Sequence, residues 1–334
     1  MAVEQVPICQ TRFKLNNGTS IPAIGLGTWQ GRHGAADEDQ LRDSIVHALR
    51  SGYRLIDTAT LYGVEHIVGQ AIRASSVPRE DITVVTKFWG DMHHDPATSL
   101  QRSLTALGLE YVDILLMHWP CALTPDGKKP LMPDESPTYV ETWKLMEKLV
   151  DGSNSETAKQ CRAIGVSNFT QKLLDVLLKE ATIVPVVNQV ELHALNPNFN
   201  LVPYCQSKGI QVMSWSTLGG RHAPQILTHP LFVNIAKNHN CSPAVVSLSW
   251  AVQRGIVVIP KSGTPARIEE NIRLVTLTDE EMETMNNAHR TVGKVRISDG
   301  ITSLQYDIPG KGVTLLGWTN QEFGFEDEQG NWLT

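Results

Sequence analysis

No apolar run in this chain reaches the roughly eighteen residues that a membrane-crossing helix needs, so a bilayer is not an expected partner. Excess positive charge is also missing: 29 Lys and Arg stand against 35 Asp and Glu, a net charge of -6. A sequence-independent nucleic-acid binder needs a basic surface, and this balance argues against one. Cysteines are few and scattered, Cys9, Cys121, Cys161, Cys205 and Cys241, with no CxxC among them. An odd, unspaced set gives neither a disulfide framework nor a zinc knuckle and reads as reduced thiols in a cytoplasmic protein. The 11 histidines contain no HExxH, and only His93 and His94 are adjacent, so no metal site is expected. The first ten residues, MAVEQVPICQ, carry no basic or apolar leader region, and the closing NWLT is no retention signal.

What the chain does have is alternation. Residues 13–22, FKLNNGTSIP, set an Asn-Gly turn between two short extended stretches and read as a β-hairpin. Short apolar runs then alternate with helical spacing: AIGLGTW, YRLIDT, ITVVTK, DILLMH, AIGVSN, PVVNQV, IQVMSW and IVVIPK. Helices are expected over 38–50, 65–74, 96–107, 139–150, 171–180, 201–208, 231–239 and 243–253, with a last pair beyond. Eight strands each followed by a helix predict a (β/α)8 TIM barrel, one domain with its hairpin at 13–22, its barrel at 23–290 and a tail at 291–334. An open dinucleotide-binding sheet is the competing architecture, but Gly25-Leu26-Gly27 lacks the third glycine of GxGxxG. Residues 151–160, DGSNSETAKQ, precede the fifth strand and read as a surface insertion on the face away from the mouth. The tail shows no periodicity, yet Tyr306, Trp318 and Trp332 in it predict docking on the body, over the barrel mouth.

A buried parallel strand reads as a continuous apolar run, and chemistry collects at its carboxyl end. Asp57, Tyr62, Lys87 and His118 all lie at or just past such ends. Read singly, Asp57 and Lys87 are equally a structural ion pair. Read together, an acid, a phenol, an amine and an imidazole are what protonating a carbonyl oxygen requires. Tyr62 would be the general acid, with Lys87 lowering its pKa, Asp57 pairing Lys87, and His118 orienting the carbonyl.

At this point the chain resembles the aldo-keto reductase superfamily. Residues 52–69, GYRLIDTATLYGVEHIVG, resemble its first signature, 162–169, RAIGVSNF, its second, and 259–274, IPKSGTPARIEENIRL, its third; His118-Trp119-Pro120 matches its HWP. The resemblance implies the barrel with its N-terminal hairpin, and NADP(H), favoured over NAD(H), as cofactor. It places Thr28, Trp29 and Asp57 beside that cofactor, and Ser167, Asn168 and Gln189 on the nicotinamide carboxamide. Trp215 would stack on the nicotinamide, where the family more often has Tyr or Phe. Ser216, Leu218 and Gly219 would follow the pyrophosphate. Lys261, Ser262, Thr264 and Arg267 would clamp the 2′-phosphate, a group that NADP has and NAD lacks, and Glu270 and Asn271 would meet the adenine. Trp29, Leu61, Tyr62, Trp89, His118 and Trp119 would line the substrate pocket.

The same resemblance puts selectivity in the mouth loops: 119–137, 218–230 and the tail. Lys128, Lys129, Arg221 and His222 in these loops suit an acidic substrate or are simply solvated surface charge. The expected activity is NADPH-dependent reduction of a small aldehyde or sugar aldehyde, as in fungal-type glyceraldehyde, glycerol and aldose reductases. The alternatives are reduction of a uronic acid or bulkier ketone, and a non-catalytic NADP(H)-binding regulatory subunit. A monomer or weak oligomer is expected.

Overall fold

Asn17-Gly18 turns the chain back on itself because Gly18 adopts φ 85 and the Asn17 side chain accepts the Thr19 N–H at 3.1 Å. The strands so joined, β1 (Arg12–Lys14) and β2 (Ser20–Pro22), are antiparallel, with Phe13 opposite Ile21. The computed structural model describes residues 6–153, 157–298 and 304–333. Eight parallel strands follow: β3 (Leu26–Gly27), β4 (Leu55–Asp57), β5 (Thr83–Phe88), β6 (Ile114–Met117), β7 (Ile164–Ser167), β8 (Val187–Glu191), β9 (Gln211–Trp215) and β10 (Val257–Val258). They pair in sequence order. A bridge from Ile24 to Val258 and the Gly25 N–H donated to the Val258 carbonyl (2.9 Å) join the last strand to the first and close the barrel. The first strand is shorter than the expected 23–29, and Trp29 lies beyond it on the loop.

Alternation along each strand divides the core in two. Leu55, Val85, Ile114, Leu116, Val187, Met213 and Val257 point into the barrel, where Leu15 and Ile21 of the hairpin join them and plug its lower end. Ile56, Val84, Leu115, Val166 and Val212 point outward under the helices. One step further up, the inward positions are Asp57, Lys87, His118, Gln189 and Trp215. The polar site is therefore the next layer of the same periodicity that builds the apolar core.

Helices begin and end where capping dictates. Asp95 accepts the Thr98 N–H at 3.0 Å, Pro96 opens the helix Pro96–Leu107, and Gly108 closes it at φ 61. The helix expected over 139–150 stops at Glu147. In the helix Glu65–Ser75, Gly69 allows a close crossing: a Cβ there would lie 1.7 Å from the Leu107 carbonyl oxygen. Gly69→Ala is expected to cost about 1–3 kcal/mol through overpacking against backbone, seen as a lower urea midpoint; an unchanged midpoint would refute the close crossing.

The tail departs from the sequence reading, because it holds regular structure. β11 (Gln305–Ile308) and β12 (Gly312–Leu315) form a hairpin, followed by a short helix, Asn320–Phe323. It docks as expected: buried Trp318 donates to the Leu131 carbonyl at 3.0 Å, and Thr170 Oγ1 to the Phe323 carbonyl at 2.5 Å. Within the polar segment 151–160, a turn of helix, Thr157–Gln160, leads toward β7, and 154–156 lie outside the described residues. So do residues 1–5, 299–303 and 334, which include parts of both termini and of the tail.

Candidate active site

β4 ends in Asp57 and β5 carries Lys87, so adjacent strands bring the two together. Lys87 is fully buried, and its Nζ donates to Asp57 Oδ1 at 2.7 Å, to the Thr58 carbonyl at 2.9 Å and to the Tyr62 hydroxyl at 3.2 Å. All three donors of the ammonium are thus engaged, which offsets the cost of burying it. Asp57 Oδ2 accepts from Gln189 Nε2 across the barrel at 2.7 Å. Tyr62 ends the 3-10 turn Thr60–Tyr62, and Gly63 at φ 67 returns the chain toward the next helix. Thr60 Oγ1 ties this turn to the Lys87 carbonyl at 3.1 Å. Leu61 sits half-buried beside the tyrosine.

Burial pushes the Tyr62 phenol above its ordinary 10.0, and the Lys87 charge pulls it only part of the way back. The sequence-based expectation of a lowered value is corrected here: the ammonium acts in the expected direction, but desolvation outweighs it. Burial would lower Lys87, yet Asp57 and Tyr62 hold it raised and therefore charged. Burial, with the Lys87 charge, holds His118 well below 6.5, so it is a neutral imidazole. Its Nδ1 is buried without a hydrogen-bond partner among the described residues.

These states carry a pH prediction. A proton donor must be protonated, so reduction declines only as pH rises past the raised phenol value. The free-enzyme profile of kcat/KM should fall above about pH 10, with no inflection near about pH 6.5. An acid-side inflection there, abolished in His118→Gln, would contradict a neutral His118.

Aromatic rings surround the hydroxyl. Trp29 lies 5.1 Å from Tyr62 between ring centroids, His118 5.7 Å from Tyr62, and Trp89 5.2 Å from His118. Trp119 differs from its expected neighbours: it is buried, edge-on to Phe323 of the tail at 5.8 Å. Thr28 Oγ1 donates to the Asp57 carbonyl at 3.0 Å.

The opposite wall is a second network. Ser167 Oγ donates to the Gln189 carbonyl at 2.8 Å, Asn168 Nδ2 to the His118 carbonyl at 2.9 Å, and Trp215 Nε1 to Asn168 Oδ1 at 2.9 Å. Asn168 and Ser216 are in the left-handed region, φ 64 and φ 53. Gly219 also has positive φ, beside half-buried Leu218, and a Cβ there would meet the Ala223 carbonyl at 2.4 Å. Farther out, Lys261 and Arg267 are exposed, Ser262 is buried, and Arg267 Nη2 donates to Thr264 Oγ1 at 2.6 Å. Glu270 Oε1 accepts the Ser242 N–H at 3.0 Å, and Asn271 is buried beside it. A pyridine dinucleotide phosphate fits this donor set. Among the described residues none donates to Gln189 Oε1, which is left to accept an amide N–H; the Trp215 ring is half-buried, and two exposed cations flank the Ser262 and Thr264 hydroxyls.

Among the described residues no contact brings the loop cations suggested for an acidic substrate to Tyr62. Lys128 pairs with Asp126 at 3.5 Å, and Arg221 donates to His222 at 3.1 Å, both pairs on the surface. The Thr58 carbonyl escaped the sequence reading because a backbone acceptor leaves no mark in residue type.

Fold and site together define a carbonyl oxidoreductase: a barrel with a buried, paired lysine beneath a tyrosine hydroxyl at its mouth. Residues 23–290 match the Aldo/keto reductase family. Glycerol 2-dehydrogenase (NADP(+)) of Saccharomyces cerevisiae is 43% identical over 85% of this chain and 93% of its own length. D-galacturonate reductase of Hypocrea jecorina is 42% identical over 83% and 90%. The structure of a Bombyx mori aldo-keto reductase in complex with NADP superposes with TM-score 0.75 at 34% identity, covering 89% of this chain and 97% of that one. The chain belongs to the Aldo/keto reductase family.

Proposed function

We propose that this protein reduces small aldehydes and sugar aldehydes to alcohols with NADPH. The observation that carries the reading is the Tyr62 hydroxyl, protonated at neutral pH and 3.2 Å from the Lys87 ammonium. NADPH, when bound, supplies the hydride. Ser167, Asn168 and Gln189 would hold its carboxamide, Trp215 would stack against the nicotinamide, and Ser216, Leu218 and Gly219 would follow the pyrophosphate. Lys261, Ser262, Thr264 and Arg267 would take the 2′-phosphate; Glu270 and Asn271 would meet the adenine, while Thr28 and Trp29 would border the nicotinamide side.

Tyr62 donates its proton to the carbonyl oxygen as the carbonyl carbon is reduced. The phenolate left behind faces Lys87, whose charge stabilises it, and Asp57 keeps Lys87 protonated and in place. His118, neutral, donates an N–H to the same oxygen and orients it. In the reverse direction Tyr62 is the base. Trp29, Leu61 and Trp89 form the apolar wall, with Trp119 packed behind it against Phe323. A six-carbon uronate is the second substrate reading, favoured by the 42% identity to a D-galacturonate reductase.

Among the described residues no helix is long and apolar enough to cross a membrane. A cytoplasmic location is the reading supported by five unpaired cysteines. We read residues 1–334 as one domain, acting as a monomer or weak oligomer.

The test is kcat/KM for DL-glyceraldehyde, xylose and D-galacturonate with NADPH and with NADH, repeated in Arg267→Ala. The account expects NADPH to be preferred, with its KM raised roughly tenfold or more in the variant and that for NADH unchanged. Equal use of both cofactors, insensitive to Arg267, would overturn the 2′-phosphate assignment.

A further inference from the structure

Glu191 ends β8 at the mouth, buried, and takes no part in proton transfer. Its Oε1 accepts the backbone N–H of Ile297 at 2.6 Å and its Oε2 that of Ser298 at 2.8 Å. His193 Nε2 lies 3.1 Å from Oε1, and the Leu195 carbonyl accepts the Val295 N–H at 3.2 Å. One buried carboxylate thus receives two successive N–H groups at the start of the tail, a strong, charge-assisted arrangement.

The residue just before them reaches the tail's far end. Arg296 Nη2 pairs with Glu326 Oε1 at 3.0 Å, and its guanidinium lies 5.1 Å from the Phe325 ring centroid and 4.2 Å from that of Trp332. Both ends of the tail are therefore fastened at the carboxyl end of β8. Beside the junction is a cavity of about 20 Å³, bordered by Asn168, Glu191, Asn196, Arg296 and Ser298. That is room for about one water. Phe169, Val190, Leu201 and Phe325 border the same cavity, so apolar contact holds the tail down while the directional bonds to Glu191 fix its register.

We propose that Glu191 is a positioning residue that registers the tail over the barrel mouth. It thereby sets the affinity for substrates long enough to reach that outer wall, without touching substrate or cofactor. A three-carbon aldehyde is held at the level of Tyr62 and His118, whereas a six-carbon aldehyde extends outward. The inference rests on the aldehyde-reductase reading; wild-type turnover tests that reading, and only the variants test this one.

The experiment uses the full chain as Glu191→Gln and, separately, Ser298→Pro, which removes one donor from the tail side and leaves the barrel strand intact. KM and kcat are measured for DL-glyceraldehyde and for D-galacturonate, or for the longest aldehyde that the wild type turns over. NADPH Kd is read from protein fluorescence. In both variants the KM for the long aldehyde should rise roughly tenfold, as expected for loss of a charged hydrogen bond. The KM for glyceraldehyde, kcat and the NADPH Kd should stay within about twofold of wild type. Equal losses on both aldehydes, a weakened NADPH Kd, or no change in either KM would overturn the proposal. If Glu191→Gln does not fold, Ser298→Pro decides alone.

Discussion

Lys87→Met should lower stability by about 3–5 kcal/mol, because it leaves the Asp57 carboxylate buried without its cation. Asp57 is 2% exposed, and its remaining side-chain partner is Gln189 at 2.7 Å. Burial already raises its pKa despite Lys87, so the carboxyl of the variant takes up a proton rather than remain charged. The double variant Asp57→Asn/Lys87→Met removes the carboxyl that must otherwise bind a proton to stay buried and should recover much of the urea midpoint. It should recover no turnover, because nothing then stabilises the Tyr62 phenolate. A double variant as unstable as the single one would show that packing of the lysine stem, rather than charge, holds this layer together. Buried ion pairs are weak evidence of stability in themselves, and this pair is explained better by what it does to Tyr62.

Tyr62→Phe should reduce kcat about a thousandfold, the range expected for loss of a positioned general acid. Stability should change little, since among the described residues the hydroxyl makes one hydrogen bond, at 3.2 Å to a lysine that keeps two other partners. The ring remains to pack against Trp29 and His118. NADPH affinity should persist, because most groups proposed to hold the cofactor lie on or just after β7, β8, β9 and β10, and the ring that packs against Trp29 is retained.

Much of this site follows from one rule of alternation. Leu55 and Asp57, Val85 and Lys87, and Val187 and Gln189 are successive inward positions, so apolar runs that end in a polar residue point directly to the mouth layer. Tyr62 and Trp29 lie off the strands: the phenol stands out by its place just past a strand end beside an acid, an amine and an imidazole, whereas the roles of Trp29 come from the family resemblance. The tail was harder to read. QYDI and GVTL flank Pro309-Gly310, a turn signal, but four-residue strands carry too little alternation to stand out from loop. Glu191 lies one residue past the run PVVNQV, and its partners are backbone N–H groups more than a hundred residues away, which no residue type betrays. The direction of the Tyr62 shift is hidden from the sequence for a related reason, since burial is a property of the assembled site.

The central claim is that the Tyr62 hydroxyl protonates a carbonyl. The most direct test follows NADPH oxidation and alcohol formation together, with glyceraldehyde, in wild type and in Tyr62→Phe at saturating cofactor. The account predicts one alcohol per NADPH in the wild type, and in the variant bound NADPH with almost no alcohol. Alcohol formed by the variant at the wild-type rate, or a wild type that binds NADPH and forms none, would contradict it.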